Sequence, residues 1–337
     1  MLRLRLLLFL LGLLTLVGLV WHIGPARILE AAAGVGPLAI LLILLPSVLM
    51  YAVETYGWRL TLGRQGSEVG FLRLCAIRTA GEVVNMTTPI AYVGGEPLKA
   101  YLLKREGVPL VEGLASVVTA KTTMTIAQVA FILLGIALGF SILGAPAAPG
   151  NERASILALW VSAVLLLFGT VVLLVVQRYG VFMGLLRLLR RVRLHIGFLE
   201  ERESKLSALD EAILDFYARD RPRFLLSTGV FFVGWLVEAL EVYVIISCLG
   251  LPVTLPAAIS IGALSVFIKG GTFFIPGSVG AQEGGNLLLL LAFGYTDLDG
   301  ITFALLRRFR ELVWIAIGLA CLAALGGSKA AALDRAS

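Results

Sequence analysis

The sequence predicts an all-α polytopic membrane protein, an inverted repeat with about six spanning helices and two re-entrant helical hairpins. Three observations carry this. Of 337 residues, 59% are hydrophobic and only 15% charged, and the mean hydropathy is +0.95; a water-soluble domain is not built from such a composition. Several apolar stretches reach membrane length, while others of half that length are interrupted by proline and glycine. Finally, the chain aligns with itself, without a gap, at an offset of 187 residues.

Taken in order, residues 1–20 open with Met-Leu-Arg-Leu-Arg and then run apolar. They read as a first span rather than a signal peptide, because the apolar run is long and no Ala-x-Ala cleavage site follows. Residues up to 36 are expected as an outer loop, with Trp21 at the interface. A second span covers 37–58, and Arg59 and Arg64 follow it. Residues 71–105 hold two half-length pieces around the stretch 87–99, which contains Pro89, Gly94, Gly95, Glu96, Pro97 and Lys99. Irregular backbone at membrane depth must be shielded from lipid, so 71–105 is expected as a hairpin entering from the cytoplasm. A span at 112–141, an outer turn at 144–153 and a returning span at 154–176 come next. Residues 178–223 form the largest polar region: Arg187, Arg190, Arg191 and Arg193 interleave with leucines, and Leu206, Leu209, Ile213 and Phe216 recur at helical spacing. This region reads as a packed linker or as a basic surface for lipid headgroups. A span at 224–249, a second pair of half-length pieces at 255–293 around 270–278, and a last span at 301–325 complete the chain. The domain reading is therefore 1–36 (first span and outer loop), 37–142 (first repeat), 143–223 (connecting span and cytoplasmic helices), 224–325 (second repeat) and 326–337 (cytoplasmic tail). The basic loops fall on one side, which places both termini in the cytoplasm by the positive-inside rule.

At the 187-residue offset Glu54 falls on Glu241, Tyr56 on Tyr243, Gly63 on Gly250, Pro89 on Pro276, Glu96 on Glu283, Gly107 on Gly294, and Lys121 on Arg308. Leucine matches are cheap in such a chain; matches of Glu, Pro and Tyr are not. The two copies run in opposite directions in the span count, so the hairpin tips are expected to meet near the midplane. Paired broken helices in inverted halves point to a transport site.

Intramembrane ionisable residues default to function. Glu96 and Glu283 follow the two breaks at the same spacing; they suit proton or cation binding, pairing with Lys121 and Arg308, or capping of the returning helix. Arg307, Arg308 and Arg310 crowd one turn of the last span and suit either a phosphate or internal pairing with Glu311 and Glu283. Glu82 and Lys269 are equivalent and opposite in charge, and are expected to pair where the tips meet; the alternative is that Lys269 snorkels or lines a wet cavity alone. Asn85 and Thr272, with Gly94, Gly95, Pro276, Gly277 and Gly280, belong to the tips, where they serve the broken backbone or a substrate. Glu54, Glu238 and Glu241 are further intramembrane acids. No metal site, cofactor or catalytic residue is expected: the three cysteines sit in apolar segments, the two histidines are far apart, and Walker, dinucleotide and Ser-His signatures are lacking. The net charge of +6 belongs to cytoplasmic loops rather than to nucleic-acid binding.

Gly81-Glu-Val-Val-Asn85, Pro89, Gly94-Gly-Glu-Pro97 with Leu102 and Leu103, and Pro276-Gly-Ser-Val-Gly-Ala-Gln-Glu283 resemble the motifs of the lysylphosphatidylglycerol synthase transmembrane family. This is the flippase-type membrane domain of the multiple peptide resistance factor, which also occurs alone. The wording around 81–103 resembles the stand-alone branch associated with hopanoid biosynthesis. The resemblance implies a bacterial inner-membrane protein that moves lipids between leaflets, with membrane lipids and lipid-biosynthesis proteins as partners. The chain stops near residue 337 without a soluble aminoacyl-transferase domain, so lysine transfer is not expected. The resulting expectation is a flippase for a phospholipid, hopanoid or polyprenyl lipid, ion-coupled in the absence of a nucleotide site. A secondary transporter of a small soluble anion, or a lipid-modifying enzyme, is the alternative.

Overall fold

The computed structural model describes residues 24–87, 94–143, 181–191, 203–272 and 280–327, with a few isolated positions besides. The regular structure of these residues is helical, without strands. The expected spans at 1–20 and 154–176, the outer turn at 144–153 and the hairpin tips with Pro89, Pro276 and Gly277 lie outside the described residues, apart from isolated positions within 154–176.

Among the described residues ten α-helices follow in order: α1 (Pro25–Thr61), α2 (Phe71–Thr87), α3 (Gly95–Arg105), α4 (Leu110–Leu143), α5 (Val181–Arg191), α6 (Glu203–Arg219), α7 (Arg221–Cys248), α8 (Leu255–Gly271), α9 (Ala281–Ala292) and α10 (Asp297–Gly327). A short 3-10 turn, Gly63–Ser67, follows α1. Ala33–Thr61, Leu110–Ile142 and Arg221–Cys248 are long and apolar enough to cross a membrane. At 31 residues α10 is also long enough, about 46 Å at 1.5 Å per residue, but it carries its arginines in mid-helix. Residues 25–36, expected as a loop, are helical. Gly36, at φ +78 and followed by Pro37, kinks α1 instead of ending it.

The contacts fix the direction of each helix. Against α7, Gly57 of α1 faces Phe231, Glu54 faces Gly234, and Ile43 packs with Val242, Ile245 and Ile246, so the two run antiparallel. On α4, Ser116 meets Trp58 and Thr61, while Gly135 accepts a hydrogen bond from Ser260 Oγ at 2.8 Å. On α10, Phe303 packs with Ile43, Trp314 Nε1 donates to Ser47 Oγ at 2.8 Å, and Leu325 O accepts from Arg105 at 2.7 Å. Hence α4 and α10, the equivalents at the 187-residue offset, also run antiparallel. Helices α2 and α3 form a hairpin that begins and ends at the Thr61 end of the bundle, closed there by Arg73 donating to Glu106 at 3.0 Å. Helices α8 and α9 form the counterpart from the other end, where Tyr295 Oη donates to Pro252 O at 2.8 Å. The glycine turns repeat in conformation too. Gly63 and Gly250 (φ +61 and +74) and Gly107 and Gly294 (φ +100 and +86) each follow a helix end in the left-handed region, where glycine carries no Cβ penalty.

Both hairpins are held by local chemistry. Thr254 caps α8, its Oγ1 accepting from Ala257 N–H at 3.3 Å, with proline in the first turn. In the first hairpin a small-residue contact brings the arms together. Outside the bundle, Leu209 and Ile213 of α6 bury themselves against Val111, Leu114, Ala115 and Val118 at the foot of α4. Helix α5 docks on α6, where Met183 N–H donates to Asp210 Oδ2 at 2.8 Å and Arg190 pairs with Glu203 at 2.7 Å.

Candidate functional site: a buried belt of ion pairs

The interior of the bundle is crossed by ionised side chains in two clusters, one per half. In the first, α2 and α3 touch backbone to backbone. A Cβ on Gly95 would stand 2.0 Å from Gly81 O. Asn85 secures this contact: its Oδ1 accepts the Gly95 N–H at 2.7 Å and its Nδ2 donates to Glu96 Oε1 at 3.1 Å. The stem of Lys99 lies over Gly81, and its ammonium donates to Glu82 Oε1 at 2.6 Å and Glu96 Oε2 at 2.9 Å. Lys121 of α4 sits 3.9 Å from Glu96. Beside them Arg78 pairs with Glu54 of α1, both sealed from solvent.

The second cluster repeats the plan with other residues. Arg308 Nε donates to Glu283 Oε1 at 2.7 Å and its Nη1 to Glu311 Oε2 at 2.5 Å, while Lys269 Nζ donates to Glu311 Oε1 at 2.8 Å. Glu283 also caps α9, accepting the Gly280 N–H at 2.7 Å. Arg307 donates to Glu238 at 2.9 Å, and Arg310 to the fully buried Glu241 at 3.2 Å. A stacked pair joins the clusters: Tyr51 lies 3.8 Å from Trp314, one turn beyond Arg310, and Arg78 sits 5.2 Å over the same tyrosine ring.

Several expected residues thus come together and others do not. Glu96 with Lys121, and Glu283 with Arg308, pair within their own halves. Glu82 and Lys269, expected to pair with each other, take different partners, Lys99 and Glu311. The physical reason is local: each lies on a hairpin arm whose neighbour within the same half already offers the opposite charge. The three arginines of α10, read as a phosphate cradle or as internally paired, each contact a carboxylate. Thr272 ends α8, its hydroxyl donating to Ile268 O at 3.0 Å. Arg78 and Lys99 were not singled out from the sequence. Their signal was spacing, with Arg78 four residues before Glu82 and Lys99 three after Glu96, each on one helical face.

Among the described residues the belt holds seven carboxylates and seven cations and is formally neutral. Burying these charges is tolerable only because they are paired, and removing one partner leaves an uncompensated charge. Even so, Arg78 Nη1, Arg307 Nε and Glu241 Oε2 are buried without a hydrogen-bond partner among the described residues. A small pocket of about 30 Å³ lies where the first hairpin meets α4, lined by Arg78, Glu82, Glu96, Lys99 and Lys121 together with Trp58, Val117, Ala120, Met124 and Phe231. No cluster of metal-ligating side chains occurs among the described residues.

Fold and belt together define an integral membrane protein of two inverted halves around a buried ion-pair centre. The chain matches the Lysylphosphatidylglycerol synthase TM region family over residues 4–319 and belongs to that family. It is also similar to two UPF0104 membrane proteins of the archaeon Methanothermobacter thermautotrophicus. One is 24% identical over 345 aligned residues, covering 95% of each chain; the other is 26% identical over 333, covering 93% of this chain and 91% of its own. These relatives are archaeal, so the likeness carries the membrane and not the kind of cell. No solved structure matches the chain.

Proposed function

We propose that the protein moves a polar-headgroup lipid between leaflets. The observation that carries this reading is the formally neutral belt of ion pairs at the inner ends of two opposed hairpins. A headgroup can be desolvated there against fixed charges while its chains stay in the surrounding lipid. The family's lipid connection supports the same reading, with a phospholipid, a hopanoid or a polyprenyl lipid as the cargo class. The protein acts as a transporter and not as an enzyme, in a cell membrane with both termini cytoplasmic. Glu96 and Glu283, each held by a cation of its own half, are the candidate proton carriers for coupling.

The test is translocation of fluorescent lipids in liposomes reconstituted with the purified chain. Wild type should speed headgroup crossing above protein-free liposomes, and Glu96→Gln and Glu283→Gln should each reduce it. Wild-type rates equal to empty liposomes, with uptake of a soluble anion instead, would move the reading to a secondary anion transporter.

A further inference from the structure

Away from the belt, at the Cys248 end of the bundle, a cleft of about 680 Å³ opens between α1, α7 and α10. Its volume lies within the roughly 300–1,000 Å³ usual for ligand sites. The cleft adjoins the kink of α1: Gly34 and Val35, just before Gly36, line it, and nothing stands within 4 Å of the missing Cβ of Gly34. Thr302 lines it too, but its hydroxyl is already spent on Leu298 O at 2.8 Å. Glu30 is the one ionisable residue among the described lining residues. The depth of these positions follows from the helices. The membrane-crossing stretch of α1 begins at Ala33, so Glu30 stands just outside it and Val35 inside. On α10, Leu305 lies two turns further into the bundle than Leu298, about 10 Å at 1.5 Å per residue. The cleft thus reaches from the edge of the apolar layer about 10 Å into it.

A carboxylate at the interface with apolar surface below it has the polarity of a membrane lipid. An unfilled cleft forfeits dispersion contacts, so a chain from the surrounding lipid is favoured in it. Apolar surface alone does not choose which lipid, because lipid tails are as apolar as leucine. The choice falls to the head. Ionised Glu30 offers acceptors only, and Asp297, next to Leu298 in the chain, adds a second exposed carboxylate at the start of α10. No lysine or arginine is among the described lining residues to hold a phosphate. A primary ammonium, with three N–H donors, suits such a site. A quaternary ammonium has no N–H and is recognised by aromatic faces, and no aromatic residue is among the described lining residues. We infer that this cleft binds a phospholipid with a primary ammonium headgroup, one acyl chain along Val35, Ile301 and Leu305 and the ammonium on Glu30. The site is separate from the belt and goes beyond the transport reading without depending on it. With both termini in the cytoplasm it belongs to the outer leaflet.

The test is native mass spectrometry of the purified full chain in uncharged detergent, titrated with phosphatidylethanolamine, phosphatidylcholine and phosphatidylglycerol of matched chains. Wild type should hold phosphatidylethanolamine about two- to five-fold more tightly than either of the others, the range of one exposed charged contact. Glu30→Gln should level the three lipids. Glu30→Lys should turn the preference to phosphatidylglycerol, a reversal that damage to folding does not produce. Gly34→Leu and Thr302→Phe place bulk in the cleft and should remove the preferred adduct, with melting in the absence of added lipid unchanged. Wild-type binding without preference, a preference that survives both Glu30 variants, or an adduct that survives both filling variants overturns the inference. Glycerophosphoethanolamine, which has the head but no chains, should not displace the lipid; displacement at equal concentration overturns the acyl-chain part. Lipid crossing in liposomes by a chain that shows no such preference would leave the transport reading standing while this inference falls; the preference without lipid crossing would do the reverse.

Discussion

Gly95 has no side chain because another backbone occupies that space. A Cβ there would meet the backbone atom Gly81 O at 2.0 Å and, at 2.8 Å, Asn85 Oδ1, which is held in place by the Gly95 N–H. Gly95→Ala therefore has to push α3 off α2, and with it the Asn85 bridge to Glu96. Overpacking of this kind costs about 1–3 kcal/mol. Gly284, in the first turn of α9, has nothing within 4 Å of its missing Cβ. Gly284→Ala should be neutral or stabilising by up to about 1 kcal/mol, the helix-propensity difference. Thermal unfolding of the two purified variants checks this: Gly95→Ala should melt below wild type and Gly284→Ala at or above it. Equal melting temperatures would mean that the contact between Gly81 and Gly95 is not what joins the arms.

At the scale of the element, the first hairpin is a cross-linked unit, since Lys99 ties Glu82 on one arm to Glu96 on the other. Lys99→Gln leaves two half-buried carboxylates facing each other with one cation fewer; the change costs about 3–5 kcal/mol for a fully buried pair and less at this exposure. Adding Glu82→Gln removes one of the stranded charges, so the double variant should be more stable than Lys99→Gln alone. Unfolding measurements on the four proteins of that double-mutant cycle give the coupling, and additive effects would show that the cross-link carries no stability. The hairpins themselves were legible in the sequence, because proline and paired glycines inside half-length apolar segments leave few other places for the chain to go. The cross-link was not. It depends on how closely α2 approaches α3, and that is set by glycine contacts that spacing along one helix does not reveal. The Gly36–Pro37 break was read as the end of a loop for a related reason: a positive φ followed by proline looks the same in sequence whether a helix starts there or only bends.

At the scale of the molecule, the repeat was the most legible feature, since a chain poor in charge has few ways to match Glu54 with Glu241 and Glu96 with Glu283 by chance. The pairing of Glu82 with Lys269 was misread because equivalence under a two-fold operation means the same environment in each half, not contact across the axis; only positions near the axis itself can meet. The same operation makes a strict topological demand. Ser67, in the turn after α1, and Thr254, which caps α8, are equivalent at the 187-residue offset, and both are exposed. They stand at opposite ends of the bundle, Ser67 with Thr61 and Arg105, and Thr254 with Cys248 and Tyr295. If the halves are inverted across a membrane, these two positions face different aqueous phases. In a background with Cys75, Cys248 and Cys321 replaced by alanine, Ser67→Cys and Thr254→Cys are tested with a membrane-impermeant maleimide on intact cells and after lysis. Thr254→Cys should label on intact cells, while Ser67→Cys should label only once the membrane is opened, which is the orientation that cytoplasmic termini require. The reverse pattern would keep the inversion and turn the protein over. Labelling of both from one side would remove the opposed entry of the two hairpins, and with it the basis for alternating exposure of the belt.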